Sequence, residues 1–145
     1  MRTETDRQLV ETRMCCQHPK PWKLLWMLMM STVLIVEDAE ILRSLMVEAI
    51  SLLDVNVMDC ASADDALPLL ETSAISLVIS DVNMPGSMDG IELAQLIWAR
   101  WPSLPVIITS GNSAVSEERL PAHVMLLPKP CSLNTLHQAV RRYLP

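Results

Sequence analysis

The sequence predicts an α/β protein: one parallel sheet of five strands with helices on both faces. Three observations carry this. From Thr32 onward, apolar runs of strand length alternate with stretches of helical period. The first, third and fourth runs are nearly unbroken Val, Ile and Leu, as in strands buried on both faces. Each run then ends on a chemically active side chain, as strands of an open α/β sheet do where ligands bind.

Taken in order, Thr32–Val36 reads as the first strand. Ala39–Leu53 reads as a helix, with Leu42, Leu45, Met46, Ala49 and Leu53 on one face. Val55–Cys60 is a second, weaker and more mixed strand. Ser62, with Asp65 three residues on, marks the start of a short helix reaching Glu71. Pro68 inside it predicts a kink or a late start. Ile75–Ser80 is the third strand and Gly90–Trp101 the third helix, closed by Pro102. Pro105–Thr109 is the fourth strand, and a weak helix is expected over Ser116–Leu120. His123–Leu127 is the fifth strand. Ser132–Tyr143 is the last helix, capped by Ser132 and ending on Arg141 and Arg142 at its negative pole. Strands alternating with helices require a parallel sheet covered on both sides. No repeat, linker or second domain interrupts the pattern.

Half of the 145 residues are apolar, enough for one sizeable core, and the net charge is −6. Residues 31–145 carry six Lys/Arg against fourteen Asp/Glu. An acidic body argues against direct nucleic-acid binding. Cys15, Cys16, Cys60 and Cys131 form no CxxC pair and no zinc-ligand spacing, so reduced thiols in a cytoplasm are expected. The apolar run Leu24–Val36 has thirteen residues, short of the roughly eighteen that cross a bilayer. No small-residue cleavage site follows it, so neither a membrane span nor secretion is expected. Residues 1–30 read as a poorly ordered extension, with Met30-Ser-Thr-Val as a natural beginning.

The strand ends bring the chemistry together. Glu37 and Asp38 follow the first strand, Asp81 the third, Thr109 and Ser110 close the fourth, and Lys129 follows the fifth. In a parallel sheet these ends share one edge. All three glycines, Gly86, Gly90 and Gly111, fall in the loops there, either to admit a small ligand closely or only to turn the chain. Three carboxylates within about 5 Å repel by roughly 3 kcal/mol per pair at an effective dielectric near 20. Such a cluster calls for a hard divalent cation. The competing reading of Glu37 and Asp38 is capping of the following helix. Capping alone does not require a third acid on another strand.

The motifs VLIVED (33–38), LVISDVNMPG (77–86), PVIITSG (105–111) and LPKP (127–130) resemble those of the receiver domain of bacterial response regulators. The resemblance covers roughly residues 31–145, with all four motifs in register. It implies the flavodoxin-like strand order 2-1-3-4-5. It implies that Asp81 accepts a phosphoryl group from a phosphohistidine on a sensor histidine kinase or phosphotransfer protein. It implies Mg²⁺ held by Asp38 directly, by Glu37 through water, by Asp81 and by the backbone carbonyl of Asn83. A cis Lys129–Pro130 bond would aim the amine of Lys129 into the site, to pair with Asp81 and then with phosphate. Ser110 would donate to the phosphoryl group with Gly111 leaving room, and Thr109 is the second choice. Asn83 and Asn112 are placed to influence attacking water. Such a domain labels itself and slowly loses the label, so it is not expected to be a conventional enzyme.

The sequence departs from the family in places. The aromatic switch position, three before the lysine, is Leu126. The span from Ser110 to Lys129 is a few residues short, residues 112–123 have poor helical period, and MPGSMDG is one residue longer than usual. No output segment is expected after the last helix, so the role would be exerted on a downstream protein. One alternative is a receiver-like module that no longer accepts phosphate. Another is a phosphatase of the haloacid dehalogenase type, which wants a second Asp where Asn83 stands. His18, His123 and His137 are isolated and expected away from the acids, and Trp101 is expected to pack.

Overall fold

A computed structural model describes residues 21–111, 120 and 123–144. The chain runs α1 (Pro21–Met29), β1 (Thr32–Val36), α2 (Glu40–Ser51), β2 (Asn56–Cys60), α3 (Ala63–Thr72), β3 (Leu77–Asp81), α4 (Gly90–Arg100), β4 (Val106–Ser110), β5 (Val124–Pro128) and α5 (Leu133–Tyr143). All strands pair in parallel, in the order β2-β1-β3-β4-β5.

Side chains of a strand alternate between faces, and this divides the core in two. Val33, Ile35, Leu77, Ile79 and Ile107 pack with Met46 and Ile50 of α2 and Leu136, Ala139 and Val140 of α5. Leu34, Val36, Val78, Val106 and Ile108 pack with Ala66 and Leu70 of α3 and Leu93, Ala94 and Ile97 of α4. Each fully buried aliphatic side chain contributes roughly 1.5–3 kcal/mol. The central strands β1, β3 and β4 therefore fix the edge on which the polar residues sit.

Several boundaries differ from expectation. β3 and β4 start later and run one residue further, so Asp81 and Ser110 are the last residues of their strands. The ladder decides this: Val33 pairs with Leu77, while Ile75 is held in a turn by its N–H to the Ser73 carbonyl. α3 begins directly after Ser62, whose hydroxyl accepts the Asp65 N–H, and runs through Pro68 with no late start. Pro68 stands inside the helix and forgoes one backbone bond there, while the Ser62 cap secures the helix start. α2 has Ala39 at its N-cap and no side-chain cap, so Asp38 does not cap it. The expected extension carries a helix over Pro21–Met29, with Trp22, Leu25, Trp26 and Met29 exposed. Residues 1–20, the helix expected over 116–120 save Leu120, Asn112, and two of the four cysteines, Cys15 and Cys16, lie outside the described residues. Among those described, no helix is long and apolar enough to cross a membrane.

Candidate functional site

The site lies on the carboxyl edge of the sheet. β1 delivers Glu37 there, its N–H bonding the Cys60 carbonyl one step past the strand. Glu37 is only 2% exposed. One of its oxygens accepts the Ala39 N–H at 3.2 Å, and the other faces Lys129 Nζ at 3.1 Å. Asp81 Oδ1 accepts the Val82 N–H at 2.8 Å and lies 3.2 Å from the same Nζ. Lys129 thus bridges two carboxylates on different strands. Glu37, Asp38 and Asp81 each offer an oxygen within 4.8 Å of the others, a spacing that suits one small cation.

The backbone around Asp81 is tightly filled. Gly90 opens α4 and gives its N–H to the Val82 carbonyl at 2.9 Å. A Cβ at Gly90 would stand 1.9 Å from the Asp81 carbonyl oxygen. The Asp89–Glu92 capping box holds that helix end in place. The preceding loop is latched to α3, since the Ser87 N–H and hydroxyl both donate to Asp64. Those bonds hold the Asp64 carboxyl below its ordinary range.

Burial pushes the Glu37 carboxyl above its ordinary value, against the pull of Lys129 and the Ala39 N–H. Burial works to lower the Lys129 ammonium, but the bonds and charges of Glu37 and Asp81 outweigh it and raise the pKa. A raised carboxyl pKa means that Glu37 costs stability once ionised, and Lys129 limits that cost. Lys129→Met is therefore expected to destabilise the metal-free protein by about 1–3 kcal/mol at pH 7. The deficit should shrink as pH falls towards 4.5, the ordinary glutamate value, where Glu37 is protonated. Melting curves in chelator from pH 4 to 8 read this directly, and a deficit independent of pH would contradict it.

Residues 33–141 match the family model of the response regulator receiver domain. The chain belongs to that family. Over 87 residues it is 46% identical to the response regulator protein FleR of Pseudomonas aeruginosa, covering 60% of this chain and 18% of FleR. It is 33% identical over 114 residues to the sensor histidine kinase RcsC of Salmonella typhimurium, covering 77% of this chain and 12% of RcsC. The chain spans less than a fifth of these relatives. Among solved structures, a receiver protein from Sinorhizobium medicae superposes with a TM-score of 0.75 at 24% identity, covering 80% of this chain and 95% of that one. The Thermotoga maritima response regulator TrrA, solved with Mg²⁺ and BeF, gives 0.71 at 23%, covering 79% and 100%. The chain thus carries a receiver domain of two-component systems.

The receiver fold brings Glu37, Asp38, Asp81 and Lys129 together. Thr109 pairs with Asp81 across the ladder and aims its hydroxyl at the Ser80 carbonyl, 3.4 Å away. Ser110 lies one residue beyond, buried, with its carbonyl accepting the Lys129 N–H at 2.8 Å. Asn83 is exposed, two residues past Asp81. The Lys129–Pro130 bond is cis. Among the described residues, nothing lies within 4 Å of a Cβ built at Gly111. Leu126 packs half-buried against the α3–α4 core. His137 bonds the Ala49 carbonyl, His123 lies tilted against Trp98, and Trp101 packs on the core. Sequence reasoning missed Arg43, which reaches the backbone of the acid pair. Its only forewarning was an arginine five and six residues after two acids.

Proposed function

We propose that Asp81 is the phosphoacceptor, drawing its phosphoryl group from the phosphohistidine of a histidine kinase or phosphotransfer protein. The observation that carries this reading is three carboxylate oxygens within 4.8 Å of one another beside a lysine 3.2 Å from Asp81. Glu37, Asp38, Asp81 and the Asn83 carbonyl are the groups that would hold Mg²⁺, whose charge offsets that of acids and phosphate when bound. Asp81 attacks phosphorus, the N–P bond of the donor breaks, and its electron pair returns to the imidazole. Lys129 then exchanges its bond to Asp81 for one to a phosphoryl oxygen. Ser110, the last residue of β4, supplies the hydroxyl donor, with Thr109, whose hydroxyl lies 3.4 Å from the Ser80 carbonyl, as the second choice. An apolar cleft of about 520 Å³ between α2 and α5, lined by Leu42, Leu45, Met46, Leu133 and Leu136, opens beside Lys129 and offers the donor a seat.

The names of two relatives, the sensor kinases RcsC and LuxN, and the Mg²⁺–BeF complex of TrrA support the same reading. The chemistry is one acceptance followed by slow hydrolysis, not turnover. The setting is cytoplasmic and the downstream target a protein rather than nucleic acid. Leu126 leaves this receiver no aromatic to rotate, so its output differs from the common switch. The test is acetyl phosphate with Mg²⁺. One phosphoryl group per chain is expected by intact mass, and none with chelator. Steady turnover of a phosphate monoester would instead favour a phosphatase.

A further inference from the structure

We propose that Arg43 is a positioning residue for the acid cluster, holding the turn after β1 so that the carboxylates stand at cation-binding spacing before any ion arrives. The inference rests on the phosphoacceptor reading. Arg43 Nη1 donates to the Glu37 carbonyl at 2.8 Å and reaches the Asp38 carbonyl at 3.5 Å. Its Nε donates to Asp59 Oδ2 at 3.0 Å, on β2. One guanidinium therefore ties the backbone of both acids to the neighbouring strand. Its side chain is 19% exposed, well shielded for an arginine.

The turn needs such a tie. α2 has no side-chain N-cap, and the Ala39 N–H takes an oxygen of Glu37 instead. That carboxylate belongs to the cluster, so a bound cation would compete with the Ala39 N–H for its oxygens. The carbonyl side of the turn is then the side from which Arg43 holds it. Asp59 explains itself in the same way, as a polar residue in a mixed strand that anchors the fork. A lysine at 43 would keep the charge but lose the planar fork that serves two partners at once. Preorganisation of this kind lowers the cost of assembling ligands around an ion.

The experiment compares the wild-type full chain with Arg43→Lys and Asp59→Asn. Mg²⁺ affinity is measured by calorimetric titration, and melting temperature separately in chelator. Arg43→Lys is expected to weaken Mg²⁺ binding about tenfold, in line with other residues that support metal ligands. Asp59→Asn, which keeps the guanidinium and an accepting oxygen but removes the charge of its anchor, is expected to weaken it about threefold. In acetyl phosphate labelling, the half-saturating Mg²⁺ concentration should rise by the same factors, with the rate at saturating Mg²⁺ within about twofold of wild type. Lower melting temperatures with wild-type Mg²⁺ affinity in both variants would make Arg43 merely structural and overturn the inference. Wild-type protein that binds no Mg²⁺ would overturn the phosphoacceptor reading itself.

Discussion

Asp81→Asn takes up no phosphoryl group from acetyl phosphate under conditions that label the wild type. The amide keeps the shape and the oxygen that accepts the Val82 N–H, so the strand end stays in place. It lacks the anionic oxygen that attacks phosphorus, and removal of a nucleophile leaves no covalent route. Losing the charge also removes one of the two carboxylates that Lys129 bridges, leaving Glu37 as its partner. Mild changes in stability with total loss of label are the expected pair of results. Intact mass before and after incubation with Mg²⁺ measures both species in one sample. Label persisting at wild-type level in Asp81→Asn would move the acceptor to another side chain.

The second large effect is structural. Gly90→Ala is expected to cost about 3 kcal/mol, the upper end for overpacking, because the new Cβ meets backbone rather than a yielding side chain. Its nearest neighbours would be the Asp81 carbonyl oxygen at 1.9 Å, the Asp81 carbonyl carbon at 2.8 Å and Val82 Cα at 3.0 Å. Helix propensity alone points the other way, since alanine exceeds glycine by roughly 0.5–1 kcal/mol in a helix. The sign of the change therefore separates the two causes. Relief of the clash pushes α4 and the strand end apart, so labelling should fall with stability. Urea unfolding gives the stability change, and a Gly90→Ala variant as stable as wild type or more so would deny the close approach.

Much of this was legible in the chain because burial on both faces leaves an unmistakable signature. VLIV, LVIS and VIIT read as interior strands, and parallel pairing then forces Glu37, Asp38, Asp81 and Lys129 onto one edge. Register was less legible: Ile75 is as apolar as Leu77, and only pairing with β1 decides which opens the strand. α1 escaped because PWKLLWMLM is apolar nearly all round and carries no helical period. Pro21 in the first helical position was its one local signal. Capping was the competing reading of Glu37 and Asp38, and of the two it is Glu37 that accepts the Ala39 N–H, while Asp38 caps nothing. Arg43, Asp59, Asp64 and Ser87 were invisible for a shared reason. Each acts across elements far apart in sequence, and a lone charge on a helix or strand reads as solvated surface until the partner is placed.

The central claim is that three carboxylates from two strand ends share one divalent ion. Titration of the full chain with Mg²⁺, beside the Asp38→Ala variant, tests it most directly. Asp38 is exposed, so its removal should leave stability within about 0.5 kcal/mol of wild type. The account predicts one saturable Mg²⁺ site per chain in the wild type and its loss in Asp38→Ala. An absence of saturable binding in the wild type, or equal binding in both proteins, would contradict it.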